Sequence, residues 1–332
     1  MEMLLPKTVK SGRTTLRWAV IALAAVVFAG SLAVMAAIAG WSQVTGALQI
    51  PHSWWLAFAL AAEAAAFAGY VLAYRTVARR ALSLRRASEY VAIGFGAFLA
   101  RGGSELDKHA LRHERDDEEE GEMRVIALDV LEHAPLAPAA WIASVVLLAT
   151  GSRTPGLDFT LDWAILVPVG AALAFYGVRR RDPFCGRPGW RGWLGRLLEG
   201  IHVLFEILRN WRREWPALLG TTVYWAGDVA CLWACLAPLR AAPSLPAIVI
   251  AHAVGYVLTR RTFPLAGAGF VEVLMPLTLV AAGVPFATAI VGVFLYRLFN
   301  LWLPLVPALL ALHTTQRQEP SPAQESLASA RP

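Results

Sequence analysis

Charged side chains are scarce in this sequence. Asp, Glu, Lys and Arg make up 16% of its 332 residues and hydrophobic residues 57%, whereas a soluble domain carries roughly 25% charge. That balance excludes a water-soluble fold and points to a polytopic membrane protein. Long polar segments are lacking too. The longest, Arg101–Arg124 and the tail after His313, are too short to bury a core. Of the three cysteines, Cys185 stands alone in a basic loop, and Cys231 and Cys235 are four apart in an apolar helix. This pattern supports neither a disulfide framework nor a zinc site. There is no Ser-His-Asp set, phosphate-binding glycine loop or dinucleotide fingerprint. The chain is expected to be no enzyme and to use no cofactor and no metal. His109 and His113 are four apart, but HALRH lacks the glutamate of HExxH, so a solvated helix is the reading. The net charge of +6 does not indicate nucleic acid, because the basic residues flank apolar runs.

Runs of about 20 apolar residues, the length needed to span a bilayer, occupy 18–40, 54–74, 125–150, 163–178, 216–238 and 287–312. The first, from Trp18 to Trp41, exceeds the roughly 7–15 residues of a signal-peptide core and reads as a retained helix. The pair 246–259 and 264–283 is less regular, and either two spans or one re-entrant pair satisfies parity. Alternate loops differ sharply in Lys plus Arg. Segments 1–17, 75–87, 179–196 and 313–332 hold seventeen; 41–53, 151–162 and 239–245 hold two. Basic loops stay cytoplasmic, so both termini are placed inside the cytoplasmic membrane.

The expected fold is therefore all-α, a polytopic bundle of about eight spans with one or two re-entrant or broken helices. A single membrane domain covers 1–313, in halves of about 18–178 and 194–313. The charged segment 101–124 is placed in the cytoplasm. The tail 314–332 reads as disordered, and 88–100 is too short to cross. In 194–213 the residues Leu197, Ile201, Leu204, Phe205 and Leu208 recur at three and four, as in an amphipathic helix on the inner leaflet. A weak echo between 95–111 and 259–274 suggests an inverted repeat, the device by which many transporters build a midplane site.

Ionisable residues inside spans are costly and mark function by default. Glu63 and Asp228 sit mid-span and define an expected polar cavity. Acids and an arginine on separate helices can also neutralise one another there. Glu272 and Arg297, the latter three before Asn300, stand beside a glycine break. Gly267 and Gly269 let the backbone turn and approach a ligand, and the helix that follows offers free N–H groups to an anion. Arg260, Arg261 and Arg297 add guanidinium forks that suit phosphate. Arg260, Arg261, Gly267, Gly269, Glu272, Arg297 and Asn300 thus form a candidate head-group site, with Glu272 positioning an arginine or coupling protons. Asp129, Glu132 and His133 open a span and are expected to snorkel or cap. His252 is expected to be a hydrogen-bonded packing residue.

Three segments resemble the transmembrane region of the lysylphosphatidylglycerol synthase family, also called flippase-like membrane proteins. They are VLAYRTVARR, FPLAGAGFVEVLMPLTLVAAGVP and LYRLFNLWLPL. Gly267-Ala268-Gly269 departs from the adjacent glycines usual in that family. The resemblance implies a stand-alone lipid translocation module without the synthase domain; the cargo expected from the basic site is an anionic phospholipid or an isoprenoid phosphate. Two rivals stand beside it: a membrane subunit that stabilises or regulates a lipid-biosynthesis enzyme, and a lipid transferase with Glu272 or Asp228 as base.

Overall fold

The computed structural model describes residues 7–48, 54–78, 82–97, 128, 130–151, 159–180, 189–241, 243–257 and 267–309. Among these residues the chain is all-α. The elements are α1 (Lys7–Ala39), α2 (Trp41–Ala47), α3 (Trp54–Val77), α4 (Leu84–Ala97), α5 (Leu136–Ala149), α6 (Phe159–Arg179), α7 (Gly189–Arg209), α8 (Trp211–Leu236), α9 (Leu245–Val257), α10 (Val271–Ala281) and α11 (Phe286–Arg297). A π-helical turn, Leu298–Trp302, continues α11.

Six stretches are long and apolar enough to cross a membrane: Trp18–Ala39, Trp54–Val77, Val130–Ala149, Thr160–Arg179, Trp211–Leu239 and Phe286–Leu309. They match the six long runs of the sequence, so the protein is a multi-pass membrane bundle. Helices are the natural solution, because each satisfies its own backbone polar groups where no water can. The less regular pair becomes α9 and α10. At 1.5 Å per residue α10 measures about 17 Å, short of a hydrocarbon core of about 30 Å; α9 is described over Leu245–Val257. Gly255, near the end of α9, packs on Val271 and Met275 in the first turns of α10, giving a helix–break–helix pair. The segment 258–266, with Arg260 and Arg261, lies outside the described residues. So do 101–124, His109, His113, Cys185, the tail from 310 and most of the suggested repeat.

Helices α3 and α8 form the centre. In lipid, close packing replaces the hydrophobic effect as the force between helices, and small residues permit it. A Cβ added to Gly69 would stand 2.6 Å from the Gly220 carbonyl oxygen and 2.7 Å from the Tyr224 nitrogen. One on Gly220 would stand 2.6 Å from the Gly69 oxygen, and one on Gly227 2.6 Å from the Ala62 oxygen. Backbone therefore touches backbone along Ala62, Ala66, Gly69 and Ala73 on one side and Gly220 and Gly227 on the other. Numbers rise along α3 as they fall along α8, so the pair is antiparallel.

The periphery is different. None of the apolar window of α6 is buried, and the helix rests on α5 and α7. In α7, Leu197, Phe205 and Leu208 are exposed. The apolar stripe of this amphipathic helix is thus turned away from the bundle, as a lipid-surface helix requires. The helix ends at Arg209, short of the expected 213. Asn210 interrupts it, and Arg212 and Arg213 belong to the first turn of α8.

One pair of identical substitutions tests the central packing. Gly227→Ala places a methyl group against the α3 backbone and is expected to cost about 1–3 kcal/mol by overpacking. Gly170→Ala on α6 meets nothing within 4 Å and is expected to be neutral or to gain up to about 1 kcal/mol. Unfolding in one detergent reads both. A Gly227→Ala protein as stable as Gly170→Ala would refute the interlock.

Candidate functional site

The glycine break has the geometry its residues imply. Gly267 has φ 70° and Gly269 φ 91°, values that carry little strain only without a Cβ. The Phe270 N–H closes the turn onto the Gly267 carbonyl oxygen at 3.1 Å. A Cβ on Gly269 would also press on Val27 of α1 at 3.0 Å. From this turn α10 begins, and Glu272 lies in its first turn.

Glu272 is fully buried, and Arg297 is 2% exposed. The Arg297 Nε–H donates to Glu272 Oε1 at 2.6 Å. The Gly269 N–H donates to the other oxygen, Oε2, at 2.6 Å. One carboxylate therefore holds together the break, the start of α10 and the end of α11. Arg297 closes the regular part of α11 and stands midway along the Phe286–Leu309 span, as expected. The turn after it widens, with the Leu303 N–H bonding Leu298 O, five residues back, at 2.8 Å. Single π turns of this kind recur at functional sites.

Asp228, fully buried in α8, gathers donors from two other helices. His252 Nε2 of α9 lies 3.0 Å from Oδ2. The Tyr296 hydroxyl donates to Oδ1 at 3.0 Å and Asn300 Nδ2 to the same oxygen at 2.7 Å. Tyr296 and Asn300 are four apart, so one face of α11 and its π turn serves this carboxylate, while Arg297 serves Glu272. Asp228 thus meets His252, Tyr296 and Asn300. Glu63 is buried on α3 beside Ala62, which touches Gly227. It lies within electrostatic reach of Tyr296 and Cys231. Asn300, Asp228, Glu63, Glu272, Arg297, Gly267 and Gly269 thus gather around the facing parts of α3, α8, α10 and α11.

One expectation is corrected. Glu132 neither snorkels nor caps: it is 0% exposed. Tyr70 of α3 donates to its Oε2 at 3.0 Å, and Tyr256 of α9 donates to Oε1. Trp225 Nε1 donates to its backbone oxygen at 2.5 Å. Tyr224 and Tyr256 share a hydroxyl contact of 2.9 Å. The physical reason is a set of donors on three helices: two phenols satisfy the buried carboxylate and an indole satisfies the backbone oxygen. Tyrosine was the available signal. It normally marks membrane interfaces, yet Tyr70, Tyr74, Tyr224, Tyr256 and Tyr296, five of seven, are buried here.

Trp225 joins the two clusters. Its ring centroid is 5.1 Å from that of His252 and 4.1 Å from that of Tyr256. No three His, Cys, Asp or Glu side chains are gathered as a metal site among the described residues. Apart from these polar groups, an apolar groove of about 310 Å³ lies between α1, α2 and α11, lined by Phe28, Leu32, Trp41, Val44, Ile290 and Phe294 among others.

Comparison with known proteins adds no assignment. Neither a protein-family model nor a curated relative matches the chain.

The Glu272–Arg297 pair makes a stability prediction. Removing one partner of a buried ion pair strands the other, at a cost of about 3–5 kcal/mol. Glu272→Leu and Arg297→Met are each expected to lose that much, and the double variant clearly less than their sum. Unfolding of the four proteins in one detergent measures the coupling. Additive losses would show that the pair does not act as a unit.

Proposed function

We propose that this protein translocates an anionic lipid, a phospholipid or an isoprenoid phosphate, across the cytoplasmic membrane, with both termini in the cytoplasm. One observation carries the reading. At the glycine turn that opens α10, a backbone N–H and a buried guanidinium converge on one carboxylate. Such donors are what a phosphate head group requires. Glu272 stands where a ligand anion would, and exchange of the head group against it opens and refills the site. Arg260 and Arg261, next to the break in sequence, supply further positive charge. The apolar groove beside α11 suits an acyl or isoprenoid chain. The resemblance of FPLAGAGFVEVLMPLTLVAAGVP and LYRLFNLWLPL to the flippase-like family points the same way.

A second reading has its own support. α6 leaves its apolar window unburied, and a partner helix in the same membrane would cover it. In that reading the chain is a membrane subunit of a lipid-modifying enzyme, and the enzyme co-purifies with it in mild detergent.

Proteoliposomes with fluorescent phosphatidylglycerol in one leaflet test translocation. The purified protein is expected to move this lipid in preference to a zwitterionic analogue. Arg297→Lys keeps the charge but loses the fork. Glu272→Gln keeps the shape but weakens the grip on Arg297. Each is expected to lower the initial rate per folded protein by about tenfold, equivalent to about 1.4 kcal/mol. Absence of lipid movement by the wild-type protein would overturn the reading.

A further inference from the structure

We propose that His252, with Asp228 as its fixed counter-charge, is a proton-binding site inside the membrane. The lipid site described above does not include His252, and the two are separable.

The argument begins with the hydrogen-bond inventory. Asp228 accepts from Tyr296 and Asn300 at Oδ1 and faces His252 Nε2 at Oδ2. An ionised carboxylate only accepts, so this network assigns the His252 hydrogen to Nε2, pointing at Asp228. The other ring nitrogen, Nδ1, then carries a lone pair. It is buried and has no hydrogen-bond partner among the described residues, and the His252 side chain is 0% exposed. A buried, unpaired ring nitrogen is costly and uncommon. Here it lies opposite a satisfied carboxylate, which is the arrangement that accepts a proton.

The step balances simply. A proton from water adds to Nδ1 and one N–H bond forms. Imidazole becomes imidazolium, and the charge of the pair goes from −1 to zero. Release reverses it. Trp225 stands perpendicular to the imidazole with centroids 5.1 Å apart.

The groups around the pair come from every neighbouring helix. Glu63 lies on α3, and Cys231 one turn after Asp228 on α8. Tyr256 lies one turn after His252, with rings 5.8 Å apart. Glu132 and His133 lie behind Tyr256, with His133 5.9 Å from its ring. Tyr296 and Asn300 lie on α11 and its π turn. Arg297 is beside them but turned to Glu272. Arg297 also acts electrostatically on Tyr296, and the hydroxyls of Tyr256 and Tyr296 are already engaged as donors. His252 is the member of the cluster whose ring offers an open acceptor beside a negative charge.

The test reads the histidine itself. The protein is labelled with ¹⁵N-histidine, placed in phosphatidylcholine nanodiscs and compared with His252→Asn, which identifies the resonance. On acidification the His252 signals are expected to pass from the neutral Nε2–H pattern to imidazolium. In Asp228→Asn the same change is expected to need about tenfold more acid, because the counter-charge is lost. A His252 that keeps one neutral pattern throughout would overturn the proposal, and so would an Asp228→Asn protein that responds like wild type. If Asp228→Asn does not fold, the wild-type titration still decides. No lipid enters this measurement, so its failure and the failure of lipid transport are distinguishable.

Discussion

The interior of this protein depends on how closely α3 and α8 approach. With a carbonyl oxygen 2.6 Å from where a Cβ would stand on Gly69, Gly220 and Gly227, the two backbones are as near as helices come. This contact does more than bind two spans. It sets Glu63 and Asp228 at one level, since their neighbours Ala62 and Gly227 touch. It brings Tyr70 of α3 alongside Tyr224 of α8, with rings 5.2 Å apart. The donors for Glu132 are thereby assembled from a surface that has no room to slide.

Upon this pair the remaining helices are fixed by polar contacts rather than by apolar area. In lipid, apolar surfaces gain little from one another, and an unsatisfied charge is expensive. Each buried carboxylate therefore constrains the helices that serve it. Glu132 ties the start of the Val130–Ala149 span to α3, α8 and α9. Asp228 ties α8 to α9 and α11. Glu272 ties α10 to α11. Shifting α11 by one turn would break the bonds of Asp228 and Glu272 together, because Tyr296, Arg297 and Asn300 lie on the same stretch. The π turn lies where those demands meet.

The long spans were legible because length and hydropathy alone decide them. The glycine break was legible because two positive-φ positions need glycine and an acid follows at the right distance. Glu272 and Arg297 were both visible as misplaced charges, and their pairing follows from there being few groups of opposite sign nearby. Glu132 was not legible. Third in its span, it looks like a residue that reaches for the interface. Its burial depends on Tyr70, Trp225 and Tyr256, which are remote in sequence. His252 looked like a packing residue and is one, but its tie to Asp228 arises only when α8 and α9 are side by side. The π turn has no signature in LFNLW; tertiary bonds to Asp228 and Glu272 select it.

The break and the histidine share a physical logic. In each, a buried carboxylate is held by donors: Glu272 by Arg297 and the Gly269 N–H, and Asp228 by Tyr296 and Asn300 beside His252. Asn300 on the π turn and Arg297 just before it reach one carboxylate each. A wide turn deforms more readily than an α turn, because its hydrogen bonds are poorly matched to the helix on either side. The π turn is thus the place where protonation at the bundle centre and anion exchange at the glycine break would be mechanically joined. Neither site needs to move far for the other to register it, since both are held by side chains of the same five-residue segment, Tyr296 to Asn300.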